Sequence, residues 1–347
     1  MTVISVEDMS GRSVDPRKPL LEVDDLVMHY KIKAGEVSAV DNVSFTVHQG
    51  EAVGLVGESG CGKTSVALSL LRLLPSNAEY ISGQIRLDGQ DLLQLTDNEM
   101  RARRWKDIAM VFQGAMNSWN PVYRVGDQIK EVLDTHFRGE MTYDEQRQHM
   151  EKLFAAVGLP AEMLDRYPHE FSGGMRQRAV IAMALACSPQ LIIADEPTTA
   201  LDVIVQDQIL KELKRIQHEM GMSIIYISHD IAVIAEVTDS MGVMYAGKLV
   251  EYGDTADVFA RPKHPYTYLL LKSTPSITGP RRQLAPLEGE PPNLLDPPTG
   301  CRFHPRCPFA TEKCAMEEPP LADIGGGHRV ACWHYEQVPD LEEALVR

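Results

Sequence analysis

No stretch of this chain reaches the roughly 18 consecutive apolar residues that a membrane-crossing helix needs. The longest convincing apolar run, residues 179–187, has nine. No block of Lys and Arg is dense enough to track a phosphate backbone, and 34 basic residues are outnumbered by 49 acidic ones for a net charge of −15. That balance argues against nucleic acid as the main partner. The first twenty residues scatter Glu7, Asp8, Arg12, Asp15, Arg17 and Lys18 among short apolar patches, so the continuous apolar core of a secretory signal is missing. A cytosolic location is expected, and with it six cysteines that do not pair as disulfides. Internal repeats and low-complexity tracts are also lacking. What remains is 347 residues, enough for one large domain or for a domain with a smaller appendage.

The strongest local pattern is Gly57-Glu58-Ser59-Gly60-Cys61-Gly62-Lys63-Thr64, directly after the apolar run 52–56. It fits G-x-x-x-x-G-K-[ST] in the strand-to-helix setting that the motif requires. Glycines let successive backbone N–H groups approach phosphate oxygens, and the following helix adds the positive end of its dipole. Lys63 is then expected to reach the β and γ phosphates, and the Thr64 hydroxyl to ligate Mg²⁺.

Around this loop the patterns alternate. Residues 1–20 read as a leader. Short β-type runs (21–23, 40–47) precede the loop, with Tyr30 ending the first. A helix is expected over 64–74, stopped near Pro75, and a strand over 83–89. The apolar strand 108–112 delivers Gln113 into a turn-rich segment, 114–121. Residues 125–187 read mainly as helix with breaks at 158–160 and 167–169. The fully apolar run 191–194 ends in Asp195 and Glu196, a polar helix follows over 205–220, and the strand 223–227 ends in Ser228-His229-Asp230. Continuous apolar strands belong to parallel sheets covered on both faces, and polar residues at strand ends point to an open α/β sheet with its site along that edge. Asp195 fits the acid that holds Mg²⁺ in P-loop NTPases, Glu196 is placed to polarise water against the γ-phosphate, and His229 could contact that phosphate.

Phe171-Ser172-Gly173-Gly174-Met175-Arg176-Gln177-Arg178 resembles the LSGGQ signature of ATP-binding cassette (ABC) ATPases, with Phe171 in place of Leu and Met175 in place of Gln. The resemblance spans about residues 20–260. It implies an α/β P-loop NTPase of the ABC type, with a mostly parallel sheet core, an antiparallel β subdomain and a helical subdomain near 114–187. By that resemblance Gln113 is the Q-loop glutamine and a Mg²⁺ ligand with Thr64 and Asp195. Ala200-Leu201-Asp202 is the D-loop, His229 the switch histidine, and Tyr30 the aromatic that stacks on adenine. The nucleotide-binding set becomes Tyr30, Gly57, Ser59, Gly60, Cys61, Gly62, Lys63, Thr64, Ser65, Gln113 and Asp195. Glu196, His229, Gln113 and Lys63 carry catalysis. Ser172, Gly173, Gly174 and Met175 would serve ATP held by a partner cassette, in a head-to-tail pair with two ATP between the subunits.

Beyond residue 260 prolines cluster (Pro275, Pro280, Pro286, Pro291, Pro292, Pro297, Pro298), which excludes long regular elements over 261–347. His264-Pro265-Tyr266-Thr267, Gly289-Glu290-Pro291-Pro292-Asn293-Leu294 and 300–308 look like the C-terminal region of ATPase subunits from oligopeptide and dipeptide importers. So does Asn117-Ser118-Trp119-Asn120-Pro121. This implies an ATP-hydrolysing subunit at the cytoplasmic face of the inner membrane, working with two permeases, a related but distinct second ATPase and, indirectly, a solute-binding protein. The same subgroup handles nickel, glutathione and some sugars; a soluble ABC ATPase outside transport is the other alternative. Cys301, Cys307, Cys314 and Cys332 have spacings that match neither the paired C-x2-C of structural zinc nor ferredoxin runs. The resemblance implies a [4Fe-4S] cluster on these four, with zinc or unligated core cysteines as alternatives. His304, His328 and His334 read as solvated loop histidines.

Overall fold

The computed structural model describes residues 14–199, 201–273 and 287–341. Most of the leader, Ala200, and Pro275, Pro280 and Pro286 lie outside the described residues. The chain divides into two compact units, the first built on His48–Glu51 and Leu95–Ile225, the second on Pro19–Val47, Ala52–Gln94 and the described residues from Tyr226 onward.

In the first unit the strands Ile108–Val111 and Leu191–Asp195 run parallel, from Ile108↔Leu191 to Val111↔Ala194. Every residue of both is buried, which is why both read as unbroken apolar runs. The helices Val125–His136, Tyr143–Ala156 and Gly173–Leu185 follow the expected helical stretch, and the short turns Ala161–Asp165 and Pro168–Glu170 stand at its two breaks. A third break lies between His136 and Tyr143. There Thr142 restarts the chain through a capping box, its hydroxyl accepting the Glu145 N–H while Glu145 accepts the Thr142 N–H. Buried Ile129 and Leu133 on one helix and Met150, Leu153 and Phe154 on the next recur at three- and four-residue spacing, the stripe that packs helix on helix. The polar helix is Val203–Met220, two residues longer at its start than its pattern suggests, because the Asp202 side chain accepts the Val205 N–H and caps it.

In the second unit Pro19–Ile32 and Ala78–Leu87 pair antiparallel (Leu21↔Leu87, Val23↔Ile85) in a four-stranded sheet that also holds Gly35–His48 and Gln90–Asp91. Leu21, Val23, Ile85 and Leu87 are buried, the alternation expected of a half-covered sheet. The buried strand Ala52–Val56 runs parallel to Ser240–Tyr245, which pairs antiparallel with Lys248–Asp254. The helix after the glycine-rich loop is Lys63–Leu70, shorter than predicted. Leu71 caps it and Arg72 turns left-handed (φ 49), three residues before Pro75.

After the helix Pro265–Ser273, the longest regular element among the described residues 287–341 is the five-residue helix Glu312–Met316, as the prolines require. One histidine here departs from expectation. His328 is buried, its Nε2 2.8 Å from Oε1 of the fully buried Glu251. The same carboxylate accepts the N–H groups of Lys263 (2.6 Å) and His264 (3.0 Å), so a buried acid is satisfied by donors from two distant segments rather than by water. His304 and His334 instead bond to uncharged groups, the Cys301 carbonyl (3.0 Å) and the Thr311 hydroxyl (2.9 Å).

His264 is also buried, its Nδ1 accepting the Tyr266 N–H, and burial pushes its pKa from 6.5 down to about 3. The unfolded chain therefore takes up a proton there as pH falls through 6.5 while the folded chain does not. Stability contributed by this group is intact above pH 6.5, and it is expected to fall by up to about 1.4 kcal/mol per pH unit below that. Urea unfolding between pH 5 and 7 checks this. The slope attributable to His264 should vanish in His264→Gln, and an unchanged slope would remove the histidine from the account.

Candidate functional site

The glycine-rich loop is held by its own backbone neighbours. A Cβ on Gly57 would lie 2.2 Å from the Met244 carbonyl oxygen, and one on Gly62 (φ +107) 2.2 Å from that of Ala39, so only glycine fits at either place. Lys63 is 6% exposed; its ammonium spans the loop and donates to the carbonyls of Gly57 (2.7 Å) and Glu58 (2.9 Å). A fixed positive charge thus sits within the loop. Ser59 and Gly60 are exposed, as is Thr64 at the start of the helix. Burial pushes the Cys61 thiol pKa up against the opposing pull of Lys63, so Cys61 packs as a neutral side chain. Half-buried Tyr30 places its hydroxyl 3.2 Å from Ser65 Oγ, fixing the end of its strand to the helix that follows the loop. His229 is exposed at the end of Ser223–Ser228, and the next residue, Asp230, caps the helix Ile231–Ala235.

Two residues that sequence reasoning missed also meet this loop. The Tyr266 hydroxyl accepts the Glu58 N–H (2.8 Å), and Arg306 forks onto the Glu58 carboxylate (2.7 and 3.0 Å). They lie 208 and 248 residues away in the chain, and no spacing rule connects such positions.

In the first unit the parallel register does the positioning. Because Val111 stands beside Ala194, Gln113 and Glu196, each two residues further on, leave the sheet side by side. Gln113 Nε2 donates to Glu196 Oε2 (2.8 Å), and so does the Thr199 hydroxyl (2.8 Å), a partner for which the sequence holds no signal. A carboxylate only accepts, so the amide presents its nitrogen to Glu196 and its oxygen elsewhere. Asp195 is 1% exposed, and Glu196 has left-handed backbone (φ 46), a conformation that costs a non-glycine residue about 1–3 kcal/mol and clusters at functional sites.

Ser172 caps Gly173–Leu185, its hydroxyl accepting the Met175 N–H (3.3 Å), and stays exposed at the positive end of that helix. A Cβ on Gly174 would come 2.8 Å from Val205 Cγ1, so the Ser172–Gly174 turn rests on the first turn of the helix that Asp202 caps. Trp119 Nε1 donates to the Arg176 carbonyl (3.4 Å), fastening the segment after Gln113 to the same helix.

Cys301, Cys307, Cys314 and Cys332 line one cavity with Phe303, Phe309 and Trp333. Burial pushes the thiol of Cys307 up to about 11 and that of Cys332 up to about 12. Among the described residues, however, no group of three or more His, Cys, Asp or Glu side chains is arranged to hold a single metal ion.

Residues 40–199 match the ABC transporter family, and residues 250–314 match the oligopeptide/dipeptide transporter C-terminal region. The chain is 45% identical to the probable peptide ABC transporter ATP-binding protein y4tR of Sinorhizobium fredii, over 93% of this chain and 97% of that one. The chain belongs to the ABC transporter ATP-binding proteins. It is also 43% identical to the dipeptide transport ATP-binding protein DppD of Escherichia coli, over 91% of this chain and 96% of the relative. Among solved structures it is similar to the ATP-binding cassette MJ0796 in a dimeric post-hydrolysis state bound to ADP and Pi, at 26% identity and a TM-score of 0.61, covering 68% of this chain and 98% of that one. The fold is that of an ABC ATPase: a mixed sheet with an antiparallel β part and a helical part.

Proposed function

We propose that this chain is the ATP-hydrolysing subunit of an importer for dipeptides or oligopeptides, bound through permeases to the cytoplasmic face of the inner membrane. The observation that carries the reading is near-full-length similarity to peptide transport ATP-binding proteins, extending into the C-terminal region named for that subgroup. ATP is the substrate, with adenine on Tyr30 and phosphates on Gly57, Ser59, Gly60, Cys61, Gly62, Lys63, Thr64 and Ser65. The Lys63 ammonium neutralises phosphate charge as the β–γ bond breaks. Glu196, steadied by Gln113 and Thr199, orients the attacking water and draws its proton as the new P–O bond forms; His229 holds the γ-phosphate. ADP and phosphate leave.

Mg²⁺ suits hard oxygen donors, and the Thr64 hydroxyl, the Asp195 carboxylate and the Gln113 amide oxygen are of that class. When bound, the ion spreads the negative charge of the phosphates.

A second ABC ATPase, a related but distinct chain, completes the arrangement: Ser172, Gly173, Gly174 and Met175 serve the ATP held by that partner, and Asp202 lies at the shared edge. Two permeases take up the motion through the segment around Gln113. Exposed Phe112 (44%), Val122 (70%) and Tyr123 (57%) flank it, apolar surface that supports docking there. A solute-binding protein delivers substrate to the permeases. In this arrangement residues 21–260 form the ATPase domain and 261–347 a C-terminal extension.

A [4Fe-4S] cluster on Cys301, Cys307, Cys314 and Cys332, whose thiols line one cavity, belongs to this reading, with zinc as the alternative. Four cysteine thiolates are the donor set such a cluster takes.

The test is the complex purified without oxygen through a tag on this chain and reconstituted in liposomes. ATP-dependent uptake of a labelled dipeptide is expected, with about four iron and four sulfide per chain and no zinc. Uptake of nickel, glutathione or a sugar in its place would move the substrate class, and absence of co-purified permeases would remove the transport reading.

A further inference from the structure

The loop between the first two clustered cysteines, Cys301-Arg302-Phe303-His304-Pro305-Arg306-Cys307, carries two arginines; Arg306 ends on Glu58 of the phosphate loop, and Arg302 on the Ala246 carbonyl beside it. The Arg306 side chain is only 6% exposed. Its two terminal nitrogens donate to the two oxygens of Glu58, Nη1 also donates to the Tyr245 hydroxyl (3.2 Å), and Nε donates to the Glu288 carbonyl (2.9 Å). Tyr245, Tyr266 and Phe303 pack against one another with ring centroids 4.7–5.4 Å apart, forming the wall on which the guanidinium lies. Four of the five N–H donors of Arg306 are therefore given partners by the fold.

Glu58 is held at three points: its carboxylate by Arg306, its N–H by the Tyr266 hydroxyl, and its carbonyl by the Lys63 ammonium. On the other side Arg302 donates to the Ala246 carbonyl and pairs with Asp41, while the next N–H, that of Gly247, donates to the Cys61 carbonyl (2.9 Å).

A carboxylate inside a loop that must take up polyphosphate opposes its ligand electrostatically unless its charge is cancelled and its position fixed. We infer that Arg306 is a positioning residue for ATP binding: the cysteine-bearing segment supplies the cation that neutralises Glu58 and holds it away from the phosphates. This rests on residues 57–64 being the ATP-phosphate site. It goes beyond that reading because it makes the C-terminal segment part of the nucleotide site's electrostatics.

The sign of the effect distinguishes this role from simple packing. In the full-length chain, Arg306→Gln leaves Glu58 uncompensated, and ATP Kd is expected to rise roughly tenfold or more, with a smaller rise for ADP, which carries less charge. Adding Glu58→Gln to Arg306→Gln should restore most of the lost affinity. A bridge that only cements the fold would give a double variant no better than Arg306→Gln. That result, or an Arg306→Gln chain with wild-type ATP affinity, overturns the inference. If Arg306→Gln does not fold, Arg306→Lys replaces it, keeping the charge without the fork. A two- to fivefold loss reversed by Glu58→Gln is then expected, and no change overturns. Lys63→Ala is run beside these: if wild type binds no ATP, or binds it without needing Lys63, the nucleotide site itself is misplaced and the failure belongs to the proposed function.

Discussion

Replacing Glu196 with glutamine is expected to lower ATP turnover by about 100-fold or more while leaving ATP binding within about threefold of wild type. The substitution keeps the size of the side chain and its left-handed backbone, and a glutamine oxygen can still accept from Gln113 Nε2 and the Thr199 hydroxyl. What it removes is the negative charge and the proton-accepting oxygen. On the proposed role, both act on the attacking water and neither on bound ATP, so the loss falls on kcat. Phosphate release by the assembled transporter, set beside equilibrium binding of a fluorescent ATP analogue, separates the two. Turnover above about a third of wild type would take Glu196 out of the hydrolytic step.

The second large effect is structural in origin. Gly62→Ala places a methyl group 2.2 Å from the Ala39 carbonyl oxygen, at a backbone φ of +107. Neither fault can be relieved by a side-chain rotation, because the obstacle is backbone and the strain is in the residue itself. The cost is about 1–3 kcal/mol for the backbone conformation and a similar amount for the overpacking. The loop is then expected to shift rather than the fold to fail, since Lys63, the next residue, is anchored through the Gly57 and Glu58 carbonyls. ATP affinity should drop by about 100-fold or more, with a lowered but cooperative melt. Calorimetric titration with ATP, alongside a thermal melt, measures both, and near-normal affinity would show that the loop tolerates a side chain there.

Much of the fold was legible because its signals are local. Strands that must be covered on both faces have to be apolar throughout, as Leu191–Asp195 and Ile108–Val111 are. A phosphate loop has to place glycines where no Cβ fits, as at Gly57 and Gly62. Both constraints leave their mark within a few residues. Element boundaries were less legible: the start of Val203–Met220 depends on which side chain caps it, and the early stop of Lys63–Leu70 on a left-handed residue that is not glycine.

The candidate site divides along the same line. By itself the sequence determined the phosphate loop, the paired carboxylates after an apolar strand and the glycine pair after Ser172, because each is a contiguous motif whose chemistry dictates its residue types. Only the tertiary structure decided that Gln113 reaches Glu196, since that contact depends on the register of two strands 83 residues apart. It also decided that His328 is buried on Glu251 and that Arg306 closes on Glu58, pairings across 77 and 248 residues. Such contacts carry no periodicity. They arise from burial itself, because a charge taken out of water must find its partner wherever the packed chain supplies one.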